Sequence, residues 1–225
     1  VVDFALKDAQ AGTVINLHDP TRGLLDEYIE RIKRNPHLKQ GIVYRGPLQD
    51  YYEHRKPVLL PRKPQNLILA MHMIYHLSDF VQPDVKPEQD LETAVSFLYD
   101  RLAPGGSIFI CYADLSDGEW GEAVCGMAEK YFRSHFPETH YADNLVAIYR
   151  ARNSLLGPNG TIGTRLAERF PDTKPEVQAE WRMCHFFGET IADIAVLGLA
   201  TELCSVDNDL FELDKLRFCL DYVLR

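Results

Sequence analysis

Asp19 ends a short β-prone run, Thr13-Val14-Ile15-Asn16-Leu17-His18, and is followed by Pro20. A carboxylate at the carboxyl end of a strand can accept two hydrogen bonds at once, which suits the paired hydroxyls of a nucleotide ribose. The same residue is equally suited to capping a helix, because Asp19-Pro20-Thr21 is a helix-opening sequence. Gln49 and Asp50 follow a second run, Gly41-Ile42-Val43-Tyr44, after the turn residues Gly46-Pro47. A polar side chain in that loop can read the edge of an adenine ring; its alternative is a solvated turn.

A third run, Asn66 to Met71, leads directly into His72-Met73-Ile74-Tyr75-His76. Histidines at i and i+4 share a helix face, a spacing compatible with metal ligation. The zincin pattern needs Glu directly after the first His, however, and Met73 stands there with no third ligand nearby in sequence. The segment is better read as the floor of a ligand site at a strand end, with Tyr75 aimed into it, and no metal is expected. Tyr112, Asp114, Asp117, Glu119 and Trp120 follow a fourth run and mix aromatic faces with carboxylates. That mixture suits a cationic or amine ligand, although taken alone it reads first as an ordinary acidic loop with one half-buried Trp. Gly157-Pro158-Asn159-Gly160 lacks the Lys and Ser/Thr of a P-loop and reads as a turn. No G-x-S-x-G elbow occurs, and Cys184-His185, adjacent in sequence, reads as packing rather than as a dyad.

The elements that must carry these residues follow from apolar periodicity. Leu24, Leu25, Tyr28, Ile29 and Ile32 mark one face of a helix over roughly 22–34, with Pro36 beyond it. Residues 2–9 read as the second half of an earlier helix, and 13–18 and 41–44 as strands. The unbroken apolar run 66–71 predicts a strand buried on both faces. Leu91, Ala94, Val95, Leu98 and Leu102 form a helix stripe that breaks at Pro104-Gly105-Gly106, where two glycines turn the chain into a strand at 107–112. Helices are expected at roughly 118–135, 143–155, 161–170 and 209–225, and a strand over 177–187. This alternation predicts an α/β domain with a mainly parallel sheet and right-handed crossovers. The long helical stretch 113–176 reads as an insertion capping the carboxyl ends of the strands, where ligands of open α/β sheets bind.

The 225 residues, 46% hydrophobic, allow one domain with a substantial core. With 33 acidic side chains against 24 basic ones, the net charge of -9 argues against nucleic-acid or anionic-membrane partners, which need a basic face. No apolar run approaches the ~20 residues of a membrane span. Five widely spaced cysteines without C-x-x-C argue against a disulfide framework and for a reducing, cytoplasmic setting.

Taken in order, these pieces resemble class I S-adenosylmethionine-dependent methyltransferases, over about residues 1–112. A narrower likeness, to histamine N-methyltransferase and its relatives, rests on four features. These are the acidic-Pro strand end, His72-Met73-Ile74 with Leu77, Ser116-Asp117-Gly118-Glu119-Trp120, and the closing Leu220-Asp221-Tyr222-Val223. The resemblance implies a Rossmann-like sheet with helices on both faces and a helical insertion after the family's fifth strand. It implies that Asp19 binds the cofactor ribose, that Gln49 and Asp50 lie near the adenine, and that His72 and Ile74 contact the cofactor. Tyr75, Tyr112 and Trp120 would face the acceptor, although Tyr75 replaces a polar side chain of the family and leaves the acceptor's identity open. The family's first strand and Gly-rich loop would precede the helix that here begins at about Val1. The resemblance therefore implies a single methyltransferase domain whose natural chain extends upstream of Val1, with a closing strand after Arg225.

The function this implies is methyl transfer to a small molecule, with an amine nitrogen favoured and oxygen, sulfur or carboxylate acceptors as variants. A catalytically silent methyltransferase-like binding module and a nicotinamide-dependent oxidoreductase are the competing classes.

Overall fold

Among the described residues of this computed structural model, the first regular segment is a strand, β1 (Thr13–His18), whose β-branched Thr13, Val14 and Ile15 favour extended backbone. The structure describes residues 10–19, 22–53, 61, 63–71, 86–112, 118–137, 140–182, 189–190 and 213–224. In chain order the further elements are α1 (Arg22–Arg34), β2 (Leu38–Tyr44), α2 (Gln49–Tyr52), β3 (Gln65–Met71), α3 (Pro87–Asp100) and β4 (Leu102–Cys111). After these come α4 (Gly118–His135), α5 (Tyr141–Leu156), α6 (Ile162–Arg169) and α7 (Leu213–Val223). The protein is thus mixed α/β, and among the described residues the strands form two small sheets, β1–β2 and β3–β4. The chain divides into two compact units, Val1–Ile68 with Asp100–Ser107, and Leu69–Tyr99 with Ile108–Arg225.

In the first unit β1, α1 and β2 form a βαβ crossover, and the two strands run parallel. Helix α1 buries Leu25 and Ile32 against them, two turns apart on one face. Leu24, expected on that stripe, is instead 44% exposed, so the buried face is narrower than the periodicity suggested. Arg31, Lys33 and Arg34 fill the last turn of α1 and oppose the negative end of its dipole. The helix stops at Asn35, whose side chain accepts from the His37 backbone N–H at 3.0 Å ahead of the strand. β2 begins at Leu38, three residues earlier than its apolar run indicated, because pairing with Thr13 extends it. The ladder register shifts between Ile15 and Leu17, and there Asn16 Oδ1 accepts from Ile42 N–H at 2.9 Å. The side chain stands in for a missing backbone partner at the irregularity. Its Nδ2 donates to Gln65 Oε1 at 2.9 Å, and among the described residues no ladder joins β1 to β3.

Two expectations for the second sheet are corrected. β3 is not buried on both faces: Asn66 and Leu67 are exposed, and only Ala70 is fully covered. Leu102 to Gly106 is also not a turn before a strand, because β4 already runs from Leu102 and includes Pro104-Gly105-Gly106. Gly105 takes φ +75°, a conformation that favours glycine, and Gly106 is crowded by the Ala103 carbonyl of its own strand and by β3. A Cβ on Gly106 would stand 2.9 Å from the Ala103 carbonyl oxygen and 3.0 Å from that of Gln65.

In the second unit Met127, Ala128, Tyr131 and Phe132 of α4 pack with Ala142, Ile148 and Tyr149 of α5 and Cys219 of α7. Elsewhere in that unit Arg165 of α6 reaches Glu92 of α3 at 2.5 Å and Glu88 at 3.3 Å, and the Tyr99 ring lies tilted against Phe170 at 5.1 Å. The strand expected over 177–187 is absent from residues 177–182, which carry no regular structure. Side chains hold that stretch instead of a ladder: Val177 lies against Gly163, and the Trp181 ring meets Tyr112. The helix expected over 2–9, and residues 183–187, lie outside the described residues.

Gly106→Ala should cost about 1–3 kcal/mol in urea unfolding, the usual range for forcing extra volume into a filled site. Gly23→Ala, on α1 with nothing within 4 Å of its added Cβ, should be neutral or stabilising by up to about 1 kcal/mol.

Candidate functional site

Parallel pairing brings the carboxyl ends of β1 and β2 to the same edge, and three candidate residues assemble there. His18 opposes Tyr44 in the register, and Asp19 prolongs the pairing by donating its N–H to the Tyr44 carbonyl at 3.3 Å. The chain leaves β2 through Arg45, Gly46 and Pro47 and enters α2, where Gln49 and Asp50 occupy the first turn. Asp19 stands directly after β1, and the described part of α1 begins three residues later at Arg22.

Four side chains fasten the edge together. Tyr44 donates its phenolic O–H to Asp50 Oδ2 at 2.5 Å, and Asp50 is only 2% exposed. That bond raises the Tyr44 pKa, since the proton is shared with a carboxylate. The His18 Nε2–H donates to the Gly46 carbonyl at 2.7 Å. The His18 ring meets Tyr51 edge-on at 5.0 Å and lies tilted against Tyr44 at 5.4 Å, while Tyr44 and Tyr51 are 5.1 Å apart. Burial holds the imidazole below its usual pKa, against the opposing pull of the Gly46 and Pro47 carbonyls and of Asp19 and Asp50. Burial, with the neighbouring Tyr44, pushes the Tyr51 phenol up to about 12. Gly46 is glycine for a local reason: a Cβ there would stand 2.6 Å from the Tyr44 hydroxyl oxygen and would drive that ring off Asp50.

In the second unit Tyr112 directly follows β4, and Trp181, 48% exposed, meets its ring at 5.7 Å and nearly at right angles. Arg152 of α5 is fully buried, with its guanidinium 5.3 Å from the Tyr112 centroid and 4.3 Å from that of Tyr149. Tyr112 is therefore one layer of an aromatic and cationic stack that reaches solvent at Trp181. Trp120 is the third residue of α4. His72, Ile74 and Tyr75, with His76, Asp114 and Asp117, lie outside the described residues. A groove of about 670 Å³ in this unit is lined by Lys86, Glu88, Glu92, Arg150, Ser154 and Arg165. Arg165 pairs with both glutamates there, and Ser154 donates to Glu88 at 2.8 Å, so its charges cross-link helices. Among the described residues no group of three or more His, Cys, Asp or Glu gathers as metal ligands would, and no helix is long and apolar enough to cross a membrane.

Reading the sequence alone missed His18, Tyr44 and Tyr51 as parts of the edge, and Trp181 as the partner of Tyr112. A signal for His18 and Tyr44 was present: a ring-bearing residue ends each of two successive strands, and Gly46-Pro47 follows the second. Comparison with family models, with curated proteins and with solved structures finds no match to this chain.

Because the folded protein holds the Tyr51 phenol neutral up to about pH 12, its contribution to stability is complete below pH 10, the unfolded value. It is lost as the pH rises through that window. Thermal melts of wild type should fall more steeply between pH 10 and 12 than those of Tyr51→Phe.

Proposed function

We propose that the carboxyl ends of β1 and β2 bind the adenosine part of S-adenosylmethionine, and that the chain transfers a methyl group to a small-molecule acceptor. One observation carries the reading: a parallel βαβ unit presents Asp19 at one strand end and Gln49 in the first turn beyond the other. A carboxylate for a diol and an amide for a purine edge, fixed on one sheet edge, are the donor and acceptor set that a nucleoside needs. Asp19 takes the ribose hydroxyls in this reading. Gln49 faces the base, and Asp50, already bound to Tyr44, orients the α2 turn that presents Gln49.

The methyl donor itself rests on the residue order described above, from the Asp19 strand end to the Leu102–Ile110 segment. When bound, S-adenosylmethionine supplies an electrophilic sulfonium methyl to an attacking lone pair. The chain's own task is to hold, orient and desolvate, and no general base is required of it when a neutral amine attacks. His72 and Ile74 are proposed for the cofactor, and Tyr75, Tyr112 and Trp120 for the acceptor, with an amine nitrogen favoured. The exposed ring of Trp181 beside Tyr112 joins that acceptor group. A cytoplasmic setting is part of this proposal and rests on the five widely spaced cysteines without a C-x-x-C pair.

Calorimetry with S-adenosylmethionine, S-adenosylhomocysteine and NAD tests the reading. Either sulfur nucleotide should bind, and Asp19→Ala should weaken that binding by about 1.5–3 kcal/mol, the range for a charge-assisted hydrogen bond. Binding of NAD alone would favour the oxidoreductase class, and binding of a sulfur nucleotide without turnover over an amine panel would favour a silent module. Trp181→Ala should raise the acceptor KM several-fold while leaving the cofactor Kd within about twofold, as loss of a ring contact worth ~1 kcal/mol implies.

A further inference from the structure

We propose that His18 is the positioning residue of this nucleoside edge and makes its affinity for the adenosyl group depend on pH. The inference rests on the adenosine reading above and adds to it a residue and a mode of regulation. His18 is the last residue of β1 and Asp19 is the next, so anything that moves one moves the other. Its Nε2 lies 2.7 Å from the Gly46 carbonyl, in the loop that delivers Gln49 and Asp50. A carbonyl only accepts, so Nε2 carries the hydrogen and, in the neutral ring, Nδ1 is bare. That one bond, with the ring contacts to Tyr44 and Tyr51, ties the Asp19 end of β1 to the start of α2.

Among the described residues, the acidic and titratable groups facing His18 come from its own strand end, from β2 and from α2. They are Asp19 following β1, Tyr44 of β2, and Asp50 and Tyr51 of α2. Tyr44 and Tyr51 are neutral phenols through the physiological range, since both are shifted upward. Asp50 Oδ2 accepts the Tyr44 hydroxyl. A second proton on the His18 ring therefore creates a cation whose adjacent carboxylate in sequence is Asp19, the group assigned to the ribose. The imidazolium and the diol then compete for the same oxygens. Burial opposes that proton in the empty edge, so the neutral, binding-competent ring is the ordinary state at pH 7 and above.

The test measures binding of S-adenosylhomocysteine and of adenosine by calorimetry from pH 8 to pH 5, with wild type, His18→Gln and His18→Ala. Wild-type affinity for both ligands should be level above pH 7 and fall progressively, by a few-fold, on going down to pH 5, toward a limit of about tenfold if the free and bound pKa values differ by one unit. In His18→Gln the amide nitrogen can donate to the same carbonyl without titrating. This variant should keep the neutral-pH affinity within about threefold and lose the pH dependence, whereas His18→Ala should lose about tenfold at pH 8. If the Ala variant fails to fold by circular dichroism, the Gln profile decides alone. Binding that is level with pH in wild type, or a Gln variant that keeps the wild-type slope, overturns the role of His18 and leaves the adenosine reading standing. No binding of either ligand by wild type at any pH overturns both.

Discussion

The candidate site depends on one constraint: the parallel pairing of β1 with β2, which places two strand ends on one edge. Antiparallel pairing would put the residue after β1 and the residue after β2 at opposite ends of the sheet. With parallel strands, Asp19 and the Gln49 turn must emerge together, and α1 must cross between them. The site is therefore a consequence of topology before it is one of side-chain chemistry. The His18 to Gly46 bond and the Tyr44 to Asp50 bond then narrow the freedom that topology leaves. A buried carboxylate with a fixed partner is an orienting device, because leaving it without one would cost more than the bond gains.

The two units differ in how they are held. The βαβ unit relies on a short ladder, a side-chain bond at its irregularity, and a cluster of rings at one end. The helices of the other unit rely on an aromatic and aliphatic core and on Arg165, which grips two glutamates of α3. Surface pairs such as Arg31 with Glu27 add little, since both partners are close to half exposed.

The helices were the most legible part of the fold. The stripe through Leu25 and Ile32 located α1, and α4 spans the expected 118–135, because a helix buries a face that local sequence spells out. Strands were legible only in their apolar centres. β2 gained Leu38 to Gln40 from its partner Thr13 to Ile15, and β4 gained Leu102 to Gly106 from the close approach of β3; pairing of that kind is not written in either strand alone. The stretch 177–182 shows the converse, since its apolar residues pack on Gly163 and Tyr112 without entering a ladder. For the site, Asp19 and Gln49 could be nominated because their types and strand-end positions announce a chemistry. His18 and Tyr44 carried only the signal of rings at two strand ends, and Tyr51 none, because their role comes from meeting at the sheet edge, a property of two strands and a helix together.

Amide hydrogen exchange with and without S-adenosylhomocysteine is the most direct test of the claim that this edge receives a nucleoside. The account predicts slowed exchange at residues 18–19 and 46–51 on adding the ligand, with the middle of α1 unchanged. Binding without any change at those residues, or protection confined to other parts of the chain, would contradict it.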